Sequence, residues 1–489
     1  MEKLLSYQVP HVYQLYESLQ NNKCVLDASD TGTGKTYTTI MLCKLLNLRP
    51  FIISPKSVLT NWIDVSEKLG VKIFGLSNYE LLKNCKYYTE NLEYADCPYM
   101  DIITKLPDKS TKKILVKSKK PDKSEEENKS KNRSKENKQI KDFIFQLPED
   151  VILIFDEAHR CKNHKTTTSR LLLSLSSTKN KIVLLSATIT DKIECFKPFG
   201  VAFGFYEEKR QYNIWMARQI KMKKISYKNL CLDEDQLKLK IIHDSIFPNF
   251  GSRMKIKELG NLFPSNQILS KCYYLENNNE VNKLYDELNY ALEDLKDKEK
   301  RSEALGKIIR IRQRLELIRV PIFLDLANSA IDNGYSIVIF VNYRATMDYL
   351  CHHLNCDCTI NGDQSIEERN LCIEDFQSNK KKIMIATIQA GGVGISLNDI
   401  HGNHPRMSLI SPTWSGQDLQ QALGRIHRAG SKTPALQRIV YIANSYEEDI
   451  CKLIEKKLIN LSGINDGDLV GPSIPIEKVN MIKDEINTE

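Results

Sequence analysis

Short runs of β-branched and other apolar residues recur along this chain, each followed by a longer stretch of helical pattern. In the first half the runs are Cys24-Val25-Leu26, Phe51-Ile52-Ile53-Ser54, Val151-Ile152-Leu153-Ile154-Phe155 and Lys181-Ile182-Val183-Leu184-Leu185. In the second half they are Ser336-Ile337-Val338-Ile339-Phe340-Val341, Lys382-Ile383-Met384-Ile385-Ala386, Met407-Ser408-Leu409-Ile410 and Arg438-Ile439-Val440-Tyr441-Ile442. Strands buried on both faces read as continuous apolar runs, and their alternation with helices predicts parallel sheets covered by helices. Residues 205–325 between the halves are helical in pattern, with no convincing buried strand. The expected class is therefore α/β, two lobes in tandem with a helical insertion. The boundaries predicted are 1–204 for the first lobe, 205–325 for the insertion, 326–462 for the second lobe and 463–489 for a tail.

A chain of 489 residues exceeds what one compact core supports, which agrees with more than one unit. From about 108 to 142 the sequence is Lys, Glu, Asn and Ser with almost no apolar residues, and a disordered loop is expected because so little surface can be buried. A solvated insertion explains that run, and so does a basic tether for nucleic acid. The residues after Gly471 are expected to fray. No apolar run approaches the ~20 residues of a membrane span, and Met1 to Tyr7 carry no secretory signature. Thirteen cysteines without a repeating framework fit free thiols in a reducing, intracellular compartment; nucleus, cytoplasm and viral factory are indistinguishable. The net charge of +8 is mildly favourable to a polyanionic partner.

The segment Asp30-Thr31-Gly32-Thr33-Gly34-Lys35-Thr36 lies between the first strand and the helical run Tyr37 to Leu46. A turn so placed aims backbone N–H groups and a helix N-terminus at one spot, which suits polyphosphate. Lys35 would reach β- and γ-phosphates, and the Thr36 hydroxyl would hold magnesium. Ser29 stands where the general pattern has glycine. Asp156-Glu157-Ala158-His159 follows the strand Val151 to Phe155, at the end where parallel sheets open onto a ligand crevice. Asp156 would share the magnesium with Thr36, and Glu157 would deprotonate an attacking water. Ser186-Ala187-Thr188 also sits at a strand end, either bonding the acidic pair or capping a helix.

In the second half, Ala390-Gly391-Gly392-Val393-Gly394 would let backbone approach a phosphate closely. On a helix, Gln421, Arg425 and Arg428 would share one face, where two guanidiniums could stabilise a transferring phosphoryl group or merely be solvated. Cys351-His352-His353 with Cys356 and Cys358 is dense in metal-ligating types, yet it is split between a helix end and the next strand and is read as ordinary half-buried residues. The basic stretch Arg310 to Arg314 reads as an amphipathic helix whose charged face is either solvated or in contact with phosphate.

In order, Gln8, the phosphate loop, Ser54-Pro55-Lys56, Asp156 to His159, Ser186 to Thr188, Gly391 to Gly394 and Gln421 to Arg428 resemble the motif series of superfamily 2 helicases, of the DEAH-box kind. Within it the chain is most similar to the Swi/Snf group of DNA translocases, on Asn61-Trp62, Asp156 to Asn163, Ser411-Pro412-Thr413-Trp414-Ser415 and Gly424 to Gly430. It departs at Ser186, where that group usually has Thr-Gly-Thr, and at Ser396, where it usually has Asn.

The resemblance implies two RecA-like lobes of the P-loop NTPase type, ATP and magnesium as cofactors, and a nucleic-acid partner. It gives Gln8 the adenine; Thr31, Gly32, Thr33, Gly34, Lys35 and Thr36 the phosphates; Thr36 and Asp156 the metal; and Asp156 and Glu157 the hydrolysis. Gln421 would sense the γ-phosphate, and Arg425 and Arg428 would act as arginine fingers. His159, Ser186 and Thr188 would couple the lobes. Pro55, Lys56, Asn342, Arg344, Gly391, Gly392 and Gly394 would face the nucleic-acid backbone. The implied activity is an ATP-driven motor on nucleic acid, gripping duplex DNA without regard to sequence. Alternatives are a strand-separating DNA or RNA helicase and a nucleotide-gated clamp without turnover.

Overall fold

In the computed structural model, residues 3–89, 93–105, 140–223 apart from 188 and 191, 232–259, 264–466 apart from 274, 276, 277, 298 and 393, and 476–479 are described. The chain divides into two compact units, residues 1–28 with 36–253 and residues 29–35 with 254–489. Among the described residues no helix is long and apolar enough to cross a membrane.

The strands of the first unit are β1 (Cys24–Asp27), β2 (Arg49–Ile53), β3 (Gly75–Ser77), β4 (Lys86–Tyr88), β5 (Tyr94–Asp96), β6 (Met100–Lys105), β7 (Ile140–Phe145), β8 (Val151–Asp156), β9 (Ile182–Leu185) and β10 (Gly251–Ser252). Its helices are α1 (Gln8–Asn21), α2 (Lys35–Leu46), α3 (Leu59–Leu69), α4 (Tyr79–Leu82), α5 (Thr167–Ser176), α6 (Lys197–Ala202), α7 (Tyr212–Lys223) and α8 (Glu234–Ile246). One sheet runs β10-β1-β9-β8-β2-β3-β4-β5, and β6 and β7 form a separate antiparallel pair. Pairing in the main sheet is parallel from β10 to β3. Val151 to Phe155 and all of β9 are buried, as strands covered on both faces must be.

Register fixes what leaves this sheet at one level. Asp27 pairs with Leu185, and Leu185 pairs with Asp156. The chain leaving β1, Ser186 after β9 and Glu157 after β8 therefore depart from a single rung. With one strand between them, Asp27 and Asp156 are about 10 Å apart. Helix α1 packs across the same edge, where buried His11 places Nε2 at 3.1 Å from Asp27 Oδ2 and Nδ1 at 2.8 Å from Ser252 Oγ.

The second unit contains β11 (Asn266–Tyr273), β12 (Ser336–Val341), β13 (Thr359–Ile360), β14 (Ile383–Thr387), β15 (Arg406–Ile410), β16 (Ala435–Ile442) and β17 (Ile476–Val479). They form one sheet in the order β13-β14-β12-β15-β16-β11-β17, parallel throughout. Around it lie α9 (Asn278–Asp294), α10 (Arg301–Ile318), α11 (Val320–Asp332), α12 (Arg344–His353), α13 (Ile366–Gln377), α14 (Ile388–Gly391), α15 (Gly416–Leu423) and α16 (Glu447–Asp466). A Ser365–Glu368 capping box starts α13, and the fully buried Ile337 to Val341 anchor the core.

Two features differ from the sequence expectation. Residues 205–325 are not purely helical, because β10 extends the first sheet beside β1 and β11 sits inside the second between β16 and β17. β10 is a Gly-Ser pair with no apolar signal, and β11 buries only its second half, including Ser270 and Lys271, so neither reads as an apolar run. The tail also contributes a strand, with Ile476 to Val479 pairing to Ser270 to Tyr273. Of the loop expected at 108–142, residues 140–142 belong to β7, and 106–139 lie outside the described residues.

A buried ion pair ties α11 to α16. Arg319 Nη2 donates to Glu447 Oε1 and its Nε to Oε2 at 3.1 Å; the Tyr285 hydroxyl (3.1 Å) and Ile442 N–H (2.8 Å) donate to the same carboxylate. Glu447 is fully buried, so removing it strands a guanidinium in the core. Glu447→Ala is expected to lower the unfolding free energy of this unit by about 3–5 kcal/mol, checked by denaturant titration against the parent chain.

Candidate functional site

The phosphate loop leaves β1 through Ala28 and bends with Gly32 and Gly34 at φ +85° and +91°, a region L side chains rarely occupy. Its stem is held by the segment after β10: Asp30 N–H donates to Met254 O (3.0 Å), Met254 N–H to Ser29 Oγ (3.0 Å) and Ile256 N–H to Asp30 Oδ2 (2.9 Å). Ser29, fully buried, thus earns its place by anchoring this strap. Thr33 Oγ1 donates to Asp30 O at 2.9 Å, and Thr31 lies in the same turn. Lys35 opens α2, and its ammonium folds back onto the carbonyls of Ser29 (2.8 Å) and Asp30 (3.0 Å). These are weak neutral acceptors that an anionic phosphate would displace.

In the first unit, Asp156 ends β8 with its carboxylate fixed: Trp62 Nε1–H donates to Oδ2 at 3.0 Å, and buried Tyr79 donates its hydroxyl to Asp156 O at 2.7 Å. Burial pushes the Tyr79 phenol far above its ordinary value, so it stays a donor. Thr36 Oγ1 accepts from Asn61 Nδ2 at 3.4 Å. Asn61 and Trp62 on α3 therefore reach Thr36 and Asp156, the hydroxyl and carboxylate that the sequence pairs as candidate magnesium ligands. Such hard oxygen donors fit that ion. Glu157 takes the left-handed conformation, φ 54° and ψ 49°, which costs a non-glycine residue about 1–2 kcal/mol. His159 Nδ1 stands 3.2 Å from Glu157 Oε2 and 3.2 Å from Ser186 Oγ, joining the ends of β8 and β9. Thr188 lies outside the described residues.

Other expected residues of this unit lie on α1 and just after β2. Gln8 starts α1, is buried, and accepts Leu5 N–H at 2.9 Å. Pro55 is buried after β2, while Lys56 is exposed.

In the second unit, Gln421 lies on α15, but that helix stops at Leu423, so Arg425 and Arg428 follow it rather than extend its face. Gly424 caps the helix, and each arginine instead donates to a carbonyl near that end. Arg425, 1% exposed, donates Nε to Gln421 O (2.8 Å) and Nη1 to Ile395 O (3.1 Å). Arg428 donates Nε to Gly424 O (2.9 Å) and Nη1 to Ser396 Oγ (2.6 Å). His427 Nε2–H donates to Pro264 O at 2.8 Å, and burial lowers its pKa.

Gly391 is required by packing: a Cβ there would meet Ala386 Cβ at 2.7 Å, so α14 could not close onto β14. Gly392 caps α14, and Gly394 follows. Asn342 Nδ2 donates to Glu316 Oε1 (2.8 Å), Ser411 Oγ (3.2 Å) and Pro412 O (2.9 Å), holding the turn after β12. Arg344 pairs with Asp363 at 2.6 Å and Asp348 at 3.6 Å. Beside them a cavity of about 310 Å³ is lined by Arg312, Glu316, Asn342, Tyr343, Trp414 and Asp418, with the Arg312 guanidinium 5.0 Å from the Trp414 ring centre. Among the described residues, no group of three or more His, Cys, Asp or Glu is placed to hold a metal.

Sequence reasoning missed Tyr79 and Glu316 and used Trp62 only as a family marker. Trp62 lies 94 positions from Asp156, a separation that no local spacing reports.

Comparison with known proteins places the chain among helicases. Residues 319–430 match the helicase conserved C-terminal domain, and residues 1–191 match the res subunit of type III restriction enzymes. A protein of Acanthamoeba polyphaga mimivirus, whose name describes it provisionally as an ATP-dependent RNA helicase, is 38% identical over 484 residues, covering 96% of this chain and 85% of its own. The ISWI chromatin-remodeling complex ATPase ISW1 of Saccharomyces cerevisiae is 22% identical over 502 residues, 93% of this chain and 40% of its own length. DNA repair protein RAD5 of the same yeast is 30% identical over 135 residues, 25% of this chain and 11% of its own. With a glycine-rich loop and an acidic pair leaving one sheet, and a relative this similar along nearly its whole length, the chain belongs to the superfamily 2 ATP-dependent helicases and is an ATP-hydrolysing, nucleic-acid-dependent enzyme.

Proposed function

We propose that this ATPase is a motor that translocates on duplex DNA without reading its sequence. The observation that carries the chemistry is the single rung from which the phosphate-loop strand, Ser186 and the Asp156–Glu157 pair depart. On nucleotide binding, Lys35 exchanges two carbonyls for phosphate oxygens, and Thr31 to Gly34 turn their N–H groups to the same anion. Thr36 and Asp156 hold magnesium, which when bound neutralises phosphate charge. Glu157 accepts the proton of the attacking water. His159, touching both Glu157 and Ser186, carries the state of that carboxylate to the end of β9. Arg425 is 1% exposed and acts as a positioning residue, whereas Arg428, which also holds two partners, is only half-buried and is assigned to the phosphoryl charge. Gln8 is assigned to the adenine on the resemblance alone.

Duplex DNA is supported by the likeness to relatives named for chromatin remodelling and DNA repair. Lys56 and the Arg312–Trp414 cavity offer charge and an aromatic face for the backbone. Gripping phosphates without base contacts makes binding tolerant of sequence and steeply weakened by salt. A strand-separating RNA helicase is the second reading, favoured by the mimivirus relative's name. ATP-driven displacement of a triplex strand without unwinding of a forked substrate is expected of the translocase. Efficient unwinding of an RNA or DNA fork would replace the first reading with the second.

Trp62 tests the magnesium assignment. Trp62→Phe keeps an aromatic, though smaller, ring in the core and removes the N–H that orients Asp156, so the magnesium concentration needed for half-maximal ATPase should rise about 10- to 100-fold. Saturating magnesium should restore most of the rate. A reduced rate that excess magnesium leaves unchanged would show that Trp62 only supports the fold.

A further inference from the structure

Helix α12 ends in a turn that brings two thiols together. Leu354 is its C-cap, Asn355 takes φ 47°, and Cys356 N–H donates to Cys351 O at 2.9 Å. This is the six-to-one bond of a Schellman closure, which normally presses an apolar residue before the cap against one just after it. Here those two residues are Cys351 and Cys356, so the closure sets their side chains on one side of the same turn. Both are half-buried, so small reagents can reach them, whereas the neighbouring Cys358 is buried and directs its thiol to Cys372 O at 3.3 Å.

We propose that Cys351 and Cys356 form a reversible dithiol–disulfide pair that reacts with small disulfides such as glutathione disulfide. A disulfide needs Cβ atoms about 3.5–4.5 Å apart, and a closure of this kind is what brings the two flanking side chains against each other. Cys356 is the attacking sulfur. Cys351 lowers the pKa of Cys356 and is itself raised in turn, while the adjacent Asp357 opposes that lowering more than its partner Lys381 supports it. In the resting state the Cys356 thiol rests 3.4 Å from the carbonyls of Cys358 and Ile383.

Cys356 thiolate attacks one sulfur of glutathione disulfide, forming a mixed disulfide and releasing one glutathione thiolate. Cys351, losing its proton, attacks the Cys356 sulfur and expels the second glutathione. The two protons given up by the cysteines end on the two glutathione thiols, and two electrons pass from the cysteine pair to the reagent. The bond would staple α12 to the segment leading into β13, beyond which Asn361 and Asp363 hold Arg344.

The full chain is incubated in glutathione buffers of stepped oxidation, quenched in acid, alkylated and mapped by peptide mass. The wild type should show Cys351 joined to Cys356 with loss of two hydrogens, reversed by excess glutathione thiol. Cys351→Ser should stop at a glutathione adduct on Cys356, and Cys356→Ser should leave Cys351 unmodified, with circular dichroism confirming that both variants fold. Free thiols at both positions in every buffer, a lasting adduct on the wild type, or a bond from either residue to Cys358 or Cys372 would each overturn the proposal. The readout is a covalent mass, so it stands or falls separately from the motor reading.

Discussion

Glu157→Gln is expected to lower the nucleic-acid-stimulated ATPase rate by about 100- to 10,000-fold, the span typical of a lost general base. Glutamine keeps the size and one acceptor oxygen but cannot take a proton from water. The backbone at this position is held in the left-handed region between β8 and the following turn, so the substituted side chain starts from the same place. Nucleotide affinity should change little, because Glu157 enters no phosphate contact in the proposed mechanism. His159 Nδ1 would still find an oxygen near 3.2 Å, and stability should be almost unchanged. A quenched-flow burst, a steady-state rate and a nucleotide titration on the purified variant check this. A rate near wild type would remove Glu157 from the chemistry.

Lys35→Ala should strike earlier, at binding. The ammonium folds onto Ser29 O and Asp30 O, carbonyls of its own loop. Its removal deprives the phosphates of a charge-assisted donor. The loss expected is about 2.7–4 kcal/mol of transition-state stabilisation, or about 100- to 1,000-fold in kcat/KM. Fluorescent nucleotide binding should weaken alongside. Comparing the two variants separates the roles: Lys35→Ala loses binding and turnover together, whereas Glu157→Gln keeps binding and loses turnover. Equal nucleotide affinity in both would contradict the assignment of Lys35 to phosphate.

What could be read from the linear chain follows the physics of each element. Fully buried parallel strands such as Val151–Phe155 and Ile337–Val341 announce themselves as apolar runs, and a glycine-rich turn between strand and helix marks the phosphate loop. β10, with a Gly-Ser pair, and β11, with Ser270 and Lys271 inside the sheet, carry no such signature because neighbouring strands rather than their own residues make them strands. The helical face drawn through Gln421, Arg425 and Arg428 assumed an uninterrupted helix, but Gly424 ends it, and the arginines turn to carbonyls near that end. Partners remote in sequence were illegible for a simpler reason. Trp62 meets Asp156, and Glu316 meets Asn342, through tertiary packing that no residue spacing encodes.

Steady-state ATP hydrolysis by the full chain, with duplex DNA titrated in at low salt, tests the central claim most directly. The account predicts a rate that climbs with DNA to a plateau, falls as salt is raised, and disappears in Glu157→Gln. A rate that stays at its basal level with duplex DNA, single-stranded DNA and RNA alike, or that survives in Glu157→Gln, would contradict it.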